Sequence, residues 1–324
     1  MKLLIAGGAG YIGSALIPKL IARGYHVDVV DLLWFGNFLP DGLKIIKEDI
    51  FDLNQPDIKG YDQVIFLAGL SNDPMAEFSP SMNFIHNASA PAYLAYISKM
   101  AGVKRFIYAG SCSVYGYTVN ELYDEGSPAI SKHPYGISKL QGEKAVVQLV
   151  EEGFSTICFR QGTVSGYSPR MRLDLIVNTM FKSAMETGEI VVNNPSIWRP
   201  ILSIEDACNA YIRAIETSEE ISGIFNIASG NYTVGETADI VRGAIEAKLN
   251  RQVKLTIKHI QDFRNYKVSV EHATNVLSFK PKHDVESIVD NLILNMAKFN
   301  DYNNPVYYNI KIFESLKKQL AKTG

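Results

Sequence analysis

Tyr135 and Lys139 stand four residues apart in His133-Pro134-Tyr135-Gly136-Ile137-Ser138-Lys139, the opening of a helix-like stretch that runs to about residue 150. On a helix that spacing puts both side chains on one face, a turn apart. A phenol titrates near ~10 and is a poor base at neutral pH. A neighbouring ammonium favours the phenolate and makes Tyr135 a usable general base. Ser111, in Ala109-Gly110-Ser111-Cys112-Ser113-Val114-Tyr115-Gly116, follows an apolar strand-like run, so its hydroxyl can bond a substrate oxygen that gains or loses a proton. Tyr-x-x-x-Lys also arises by accident on helix surfaces, so its weight comes from its surroundings.

Those surroundings begin at residue 2. A short apolar run breaks into Gly7-Gly8-Ala9-Gly10-Tyr11-Ile12-Gly13, ahead of a helix-like stretch over 14–23. Gly7 and Gly10 suit a turn where a Cβ would collide with an approaching pyrophosphate, and Gly13 lets the helix lie close to the strand. The helix N-terminus turns unpaired N–H groups and a positive dipole end toward the phosphates. A second apolar run, 25–30, ends in Asp31, whose carboxylate can accept both hydroxyls of an adenosine ribose and would repel a 2′-phosphate. NAD is therefore expected over NADP. Glycines inside the first apolar run, with no small-residue cleavage site after it, argue against a signal peptide. An oxidised nicotinamide would add its positive charge beside Tyr135, and the three donors of Lys139 can also hold the nicotinamide ribose hydroxyls.

Strand-like runs at 3–6, 26–30, 43–47, 63–68, 105–109 and 156–160 alternate with helical or loop stretches. The expected fold is α/β, a Rossmann-type doubly wound parallel sheet with ligands beyond its carboxyl edge. Residues 1–165 are expected to form this NAD-binding domain. Residues 166–324, with weaker alternation, are expected to form a smaller α/β substrate-binding domain, with about 200–217 packing back on the first. The chain has 324 residues, 47% hydrophobic and 20% charged, with a net charge of -2. That describes a soluble globular protein and gives no reason to propose nucleic acid or an anionic membrane as partner. Cys112, Cys158 and Cys208 are widely spaced and odd in number, which suits a reducing cytoplasmic setting and offers no metal site. No apolar stretch is long enough to span a bilayer.

Taken together, the glycine segment from residue 7, the Val-Tyr-Gly segment ending at Gly116, Tyr135-x-x-x-Lys139, and Trp198-Arg199-Pro200-Ile201 before Glu205-Asp206 resemble the extended short-chain dehydrogenase/reductases. The similar branch is that of NAD-dependent nucleotide-sugar epimerases and dehydratases, including UDP-glucose 4-epimerase-like members. The resemblance implies a catalytic trio of Ser111, Tyr135 and Lys139. It further implies cofactor contacts from Gly7, Gly10, Tyr11, Ile12, Gly13 and Asp31, adenine contacts from Asp49 and Ile50, a wall at Ala68, and a contact from Asn87. Thr163 falls where related 4-epimerases have a substrate-contacting asparagine, and Arg199 matches an arginine that meets the substrate diphosphate. Residues 163–178 resemble a subgroup that includes C4 dehydrogenases of nucleotide-activated heptoses. In that stretch Arg170 and Arg172 can reach a diphosphate or sugar hydroxyls, or can simply cap and solvate a helix start; Asn178 is assigned to the substrate with them. Arg264 is a further diphosphate candidate.

Departures from the family pattern narrow the chemistry. Relatives that expel water from the sugar carry Thr-Asp-Glu where this chain has Ser111-Cys112-Ser113, so a 4,6-dehydratase lacks its acid and base here. Gly69 replaces a usual alanine and Pro200 an acidic residue. A fucose-synthesising relative has a proton-shuttling cysteine near Cys112, but no histidine partner can be assigned, and a small buried residue is the simpler expectation. The expected function is NAD-dependent 4-epimerisation of a nucleotide-diphosphate sugar through a transient 4-keto sugar, in surface-polysaccharide sugar synthesis. The alternatives are a C4 dehydrogenase or 4-ketoreductase that releases its product and, from another class, a non-catalytic nucleotide-binding regulator. A homodimer is expected through helices near 89–100 and 135–150.

Overall fold

Seven parallel strands form the central sheet of the computed structural model, which describes residues 1–258 and 265–323. They are β1 (Lys2–Ala6), β2 (His26–Val30), β3 (Lys44–Ile46), β4 (Gln63–Phe66), β5 (Arg105–Ala109), β6 (Ser155–Gln161) and, after the short β7 (Thr163–Ser165) and β8 (Trp198–Ser203), β9 (Gly223–Ile227). The spatial order is β9-β6-β5-β4-β1-β2-β3. Every residue of β4 and β5 is buried, as a parallel sheet covered on both faces requires. The doubly wound expectation holds. The edge strand β9 went unanticipated, since Gly-Ile-Phe-Asn-Ile is short and broken by a polar residue.

The winding reverses at β1, which has β2 on one side and β4 on the other. That reversal opens a crevice at the carboxyl edge of the sheet. Helix α1 (Tyr11–Ala22) leaves β1 through the glycine turn. It packs through Leu16 and Ile17 into one core with Ala207, Tyr211 and Ile215 of a later helix, Ile204–Glu216. On the opposite face Ala90, Leu94 and Ile97 of Ala90–Met100 cover Val64, Phe66, Phe106 and Tyr108.

Directly after β6 the chain passes at Gly162 into β7, which pairs with β8; β8 pairs in turn with β10 (Gly230–Thr233). A Cβ on Gly162 would lie 2.8 Å from the Pro200 carbonyl oxygen, so glycine is what allows the large sheet to run into the small one. A second core, with Met171, Leu173, Val177, Phe181, Ile201, Val241 and Val289, stands over the crevice and makes its far wall.

Candidate active site

A cavity of about 600 Å³ lies between the carboxyl edge of the large sheet and the second core. Gly7, Gly10, Tyr11, Ile12, Ala68, Ser111, Tyr135, Lys139, Thr163, Arg170, Arg172 and Arg199 all line it. An adjoining groove is lined by Asp31, Asp49, Ile50 and Ala68, with Trp34, Phe35 and His86. Residues assigned from eight separate stretches of sequence therefore meet around one continuous hollow.

The glycine turn is built for close approach. Gly7 has φ +76°, and a Cβ there would lie 2.4 Å from the Ala68 nitrogen; one on Gly13 would lie 2.2 Å from the Gly8 oxygen. Asp31 accepts the Ala9 N–H at 3.0 Å and the Leu33 N–H at 2.8 Å, and its buried carboxyl is pushed above the usual range mainly by desolvation. A carboxylate has about four acceptor positions, so two remain for ribose hydroxyls. Asp49 caps the short turn Ile50–Asp52 through the Phe51 N–H at 3.0 Å. A glycine cradle, a helix N-terminus and a carboxylate at the end of the second strand fit an NAD dinucleotide.

The helix Pro134–Val147 presents Tyr135 and Lys139 to the same hollow. Lys139 is 5% exposed; its Nζ donates to the Ala109 carbonyl at 2.9 Å and lies 5.3 Å from the centre of the Tyr108 ring. Burial lowers its pKa to about 7. Burial also raises Tyr135 to about 12, against hydrogen bonding toward Ser111 and the charge of Arg172, which pull it down. Ser111 Oγ accepts the Ser113 N–H at 3.1 Å, which fixes the hydroxyl at the strand end. One turn beyond Lys139 the helix is pinned to β6 by a buried ion pair: Arg160 Nε and Nη2 donate to Glu143 at 2.9 and 2.7 Å.

Three assigned residues stand off the cavity wall: Asn178, Asn87 and Gly13, which serves the close packing of the first helix against Gly8. Asn178 donates to the Tyr11 hydroxyl at 3.1 Å and the Arg172 carbonyl at 2.7 Å, and accepts the Gly166 N–H at 2.9 Å. It is 0% exposed with both ends occupied, so it ties the glycine turn to the second half of the chain and has nothing left for substrate. Asn87, also buried, donates to the Leu70 carbonyl at 2.8 Å from behind the cavity. Its Oδ1 would be 2.2 Å from a Cβ on Gly69, whose φ is +123°, which explains why glycine stands where the family pattern has alanine. The Tyr11 hydroxyl is likewise spent on the Gly166 carbonyl at 2.6 Å, although Tyr11 itself lines the cavity. Cys112 Sγ bonds the Arg160 carbonyl at 3.1 Å, away from the hollow, and burial pushes the thiol up. Arg264 lies outside the described residues.

Other wall residues escaped sequence reasoning: Phe35, Ser71, Asp73, Tyr266 and Asn309. Asp73 carried a signal, since Ser71-Asn72-Asp73-Pro74 lies in the loop that leaves the β4 strand end. Asn72 beside it holds φ +112°, rare outside glycine and typical of constrained sites. Asn309 carried none, being more than two hundred residues from the turn it faces.

A family model described as "NAD dependent epimerase/dehydratase family" matches residues 3–228. A UDP-glucose 4-epimerase of Corynebacterium glutamicum is 24% identical over 311 residues, which cover 90% of this chain and 94% of that protein. Among solved structures, the UDP-glucose 4-epimerase of Thermotoga maritima with UDP-glucose has a TM-score of 0.81 at 23% identity, covering 92% of this chain and 99% of that one. MoeE5 in complex with UDP-glucuronic acid and NAD gives a TM-score of 0.81 at 23% identity, with 92% and 99% covered.

Proposed function

Since the chain belongs to the NAD-dependent epimerase/dehydratase family, we propose that it is a 4-epimerase of a nucleotide-diphosphate sugar, with UDP-sugars as the first candidates. The observation that carries this reading is the meeting of Ser111, Tyr135 and Lys139 with the glycine turn around one cavity. Tyr135 takes the proton of the sugar 4-hydroxyl and Ser111 hydrogen-bonds the same oxygen as it becomes a carbonyl. Bound NAD supplies the hydride acceptor and donor and, when oxidised, a positive charge beside these groups. A phenol held near 12 needs help to ionise at neutral pH; the Ser111 hydrogen bond and the Arg172 charge pull it down, and a protonated Lys139 is assigned a further share. On return, Tyr135 gives the proton back and C4 is reduced from the other face.

Arg199, which lies with its guanidinium 5.9 Å from the Tyr266 ring centre, is assigned to the substrate diphosphate, and Thr163 to the sugar. Arg172 is held by Asp174 at 2.9 Å and by Ser71 Oγ at 2.9 Å, which suits a fixed donor toward a hydroxyl. Cys112 and Ser113, where dehydrating relatives carry an acid pair, favour epimerisation over loss of water. Supply of surface-polysaccharide sugars is inferred from the likeness of residues 163–178 to the heptose-oxidising subgroup, and a cytoplasmic setting from three free buried thiols. The domain limits, 1–165 and 166–324, and the homodimer remain parts of this proposal. Tyr135→Phe tests it: turnover is expected to fall about 10²- to 10⁴-fold with NAD affinity nearly unchanged, and retained turnover would reject the mechanism.

A further inference from the structure

We propose that Arg170 is a ligand of the cofactor's pyrophosphate, and that the C-terminal helix clasps it there; this rests on NAD being the cofactor. The Arg170 backbone is fixed to the first turn of α1. Its N–H donates to Ser14 Oγ at 3.2 Å, and Ser168 Oγ donates to the Tyr11 carbonyl at 2.7 Å. Arg170 therefore stands where the helix N-terminus and glycine turn await an anion. The guanidinium lies 3.9 Å over the centre of the Phe35 ring, in the loop that follows Asp31. Gly7, Gly10, Phe35, Arg170 and Asn309 line the same cavity.

Arg170 makes no direct ion pair among the described residues, and Asp174 and Asp31 act on its charge only from a distance. The residue is 1% exposed, and among the described residues its Nε has no hydrogen-bond partner and its guanidinium bonds one side chain, from Nη2 to Asn309 Oδ1. Neither carboxylate touches the guanidinium: Asp174 is bound by Arg172, and Asp31 holds the Ala9 and Leu33 N–H groups and keeps its remaining acceptor positions for the ribose. A buried unpaired charge is strongly unfavourable, and a bound phosphate removes that deficit through charge-assisted hydrogen bonds. Burial holds the guanidinium down to about 9, the opposite of what a paired arginine does.

The helix Asn309–Thr323 completes the arrangement. Asn309, 4% exposed, orients the guanidinium through its oxygen and donates from Nδ2 to Ser71 Oγ at 2.9 Å. Phe313 packs edge-on against Trp34 with ring centres 5.0 Å apart, and 6.5 Å from Phe35. The far end of the chain is thus fastened to the cofactor loop, and the cofactor's diphosphate and the substrate's are served by different arginines, Arg170 and Arg199. A clasp of this kind keeps the cofactor in place between the two hydride transfers.

Calorimetric titration of cofactor-stripped enzyme with NAD, ADP-ribose, adenosine and UDP separates the possibilities. Arg170→Met is expected to weaken NAD and ADP-ribose alike by about 10- to 100-fold, leaving adenosine and UDP unchanged. Weakened UDP with intact ADP-ribose would overturn the assignment and return Arg170 to the substrate; unchanged affinity for all four would overturn it outright. Should that variant fold poorly, Asn309→Ala frees the guanidinium without deleting it, and about 3- to 10-fold weaker ADP-ribose is expected; an unaltered value refutes the clasp. A wild-type protein that takes neither NAD nor ADP-ribose would sink the cofactor reading itself.

Discussion

Replacing Lys139 by methionine should abolish turnover and, in the cofactor-free protein, increase stability at neutral pH. Burial lowers Lys139 from its ordinary value of 10.5 to about 7. The unfolded chain keeps that proton up to pH 10.5, the folded one only to about 7, so between these limits the unfolded state binds more protons and wild-type stability rises with pH by about 1.4 kcal/mol per unit. Below about pH 7 both states hold the proton and the whole penalty applies, about 5 kcal/mol. Methionine has no proton to bind, but it forfeits the 2.9 Å bond to the Ala109 carbonyl, worth about 1–3 kcal/mol with the acceptor left buried. The net gain expected below pH 7 is about 2–4 kcal/mol. Urea unfolding of both proteins at about pH 6.5 and 9.5 measures it, and the margin should shrink by about 3 kcal/mol across that range. Parallel stability profiles would refute the buried ammonium.

Glu143→Gln leaves the Arg160 guanidinium buried without its anion; a loss of about 3–5 kcal/mol in chemical unfolding is expected, and a loss below about 1 kcal/mol would mean that the pair does not anchor the catalytic helix. Cys112→Ala should turn over like wild type, and neither protein should leave carbon-bound deuterium at C3 or C5 when the reaction runs in deuterium oxide. Incorporation lost in the variant would bring the thiol into the chemistry. Tyr96 and Met100, 53% and 52% exposed on Ala90–Met100, offer the apolar face a dimer needs. Sedimentation should give a wild-type dimer and a Tyr96→Glu monomer, and a monomeric wild type would end the dimer proposal.

The cofactor half of the site was legible because its demands are local. Gly7, Gly13 and Asp31 are dictated by backbone approach within thirty residues of sequence, and Tyr135 and Lys139 by helical spacing. Substrate-side assignments rest on residue type and on family resemblance, and neither says which way a side chain faces. Asn178 has the chemistry of a sugar ligand, but its amide is consumed by Tyr11, Arg172 and Gly166. For Arg170, residue type leaves open a substrate contact or a helix-start cap; the backbone bond to Ser14 that sets it beside the glycine turn joins residues 156 apart and leaves no trace in spacing. Nothing in the sequence of the C-terminal helix names the Trp34 and Phe35 loop as its seat.

Hydride return can be tested directly by incubating the purified enzyme with UDP-sugars deuterated at C4 in ordinary water and resolving the products by chromatography and mass spectrometry. The account predicts an isomer of unchanged mass that keeps its deuterium at C4. A lighter, oxidised sugar with the label on reduced cofactor, or a product lacking the elements of water, would contradict it.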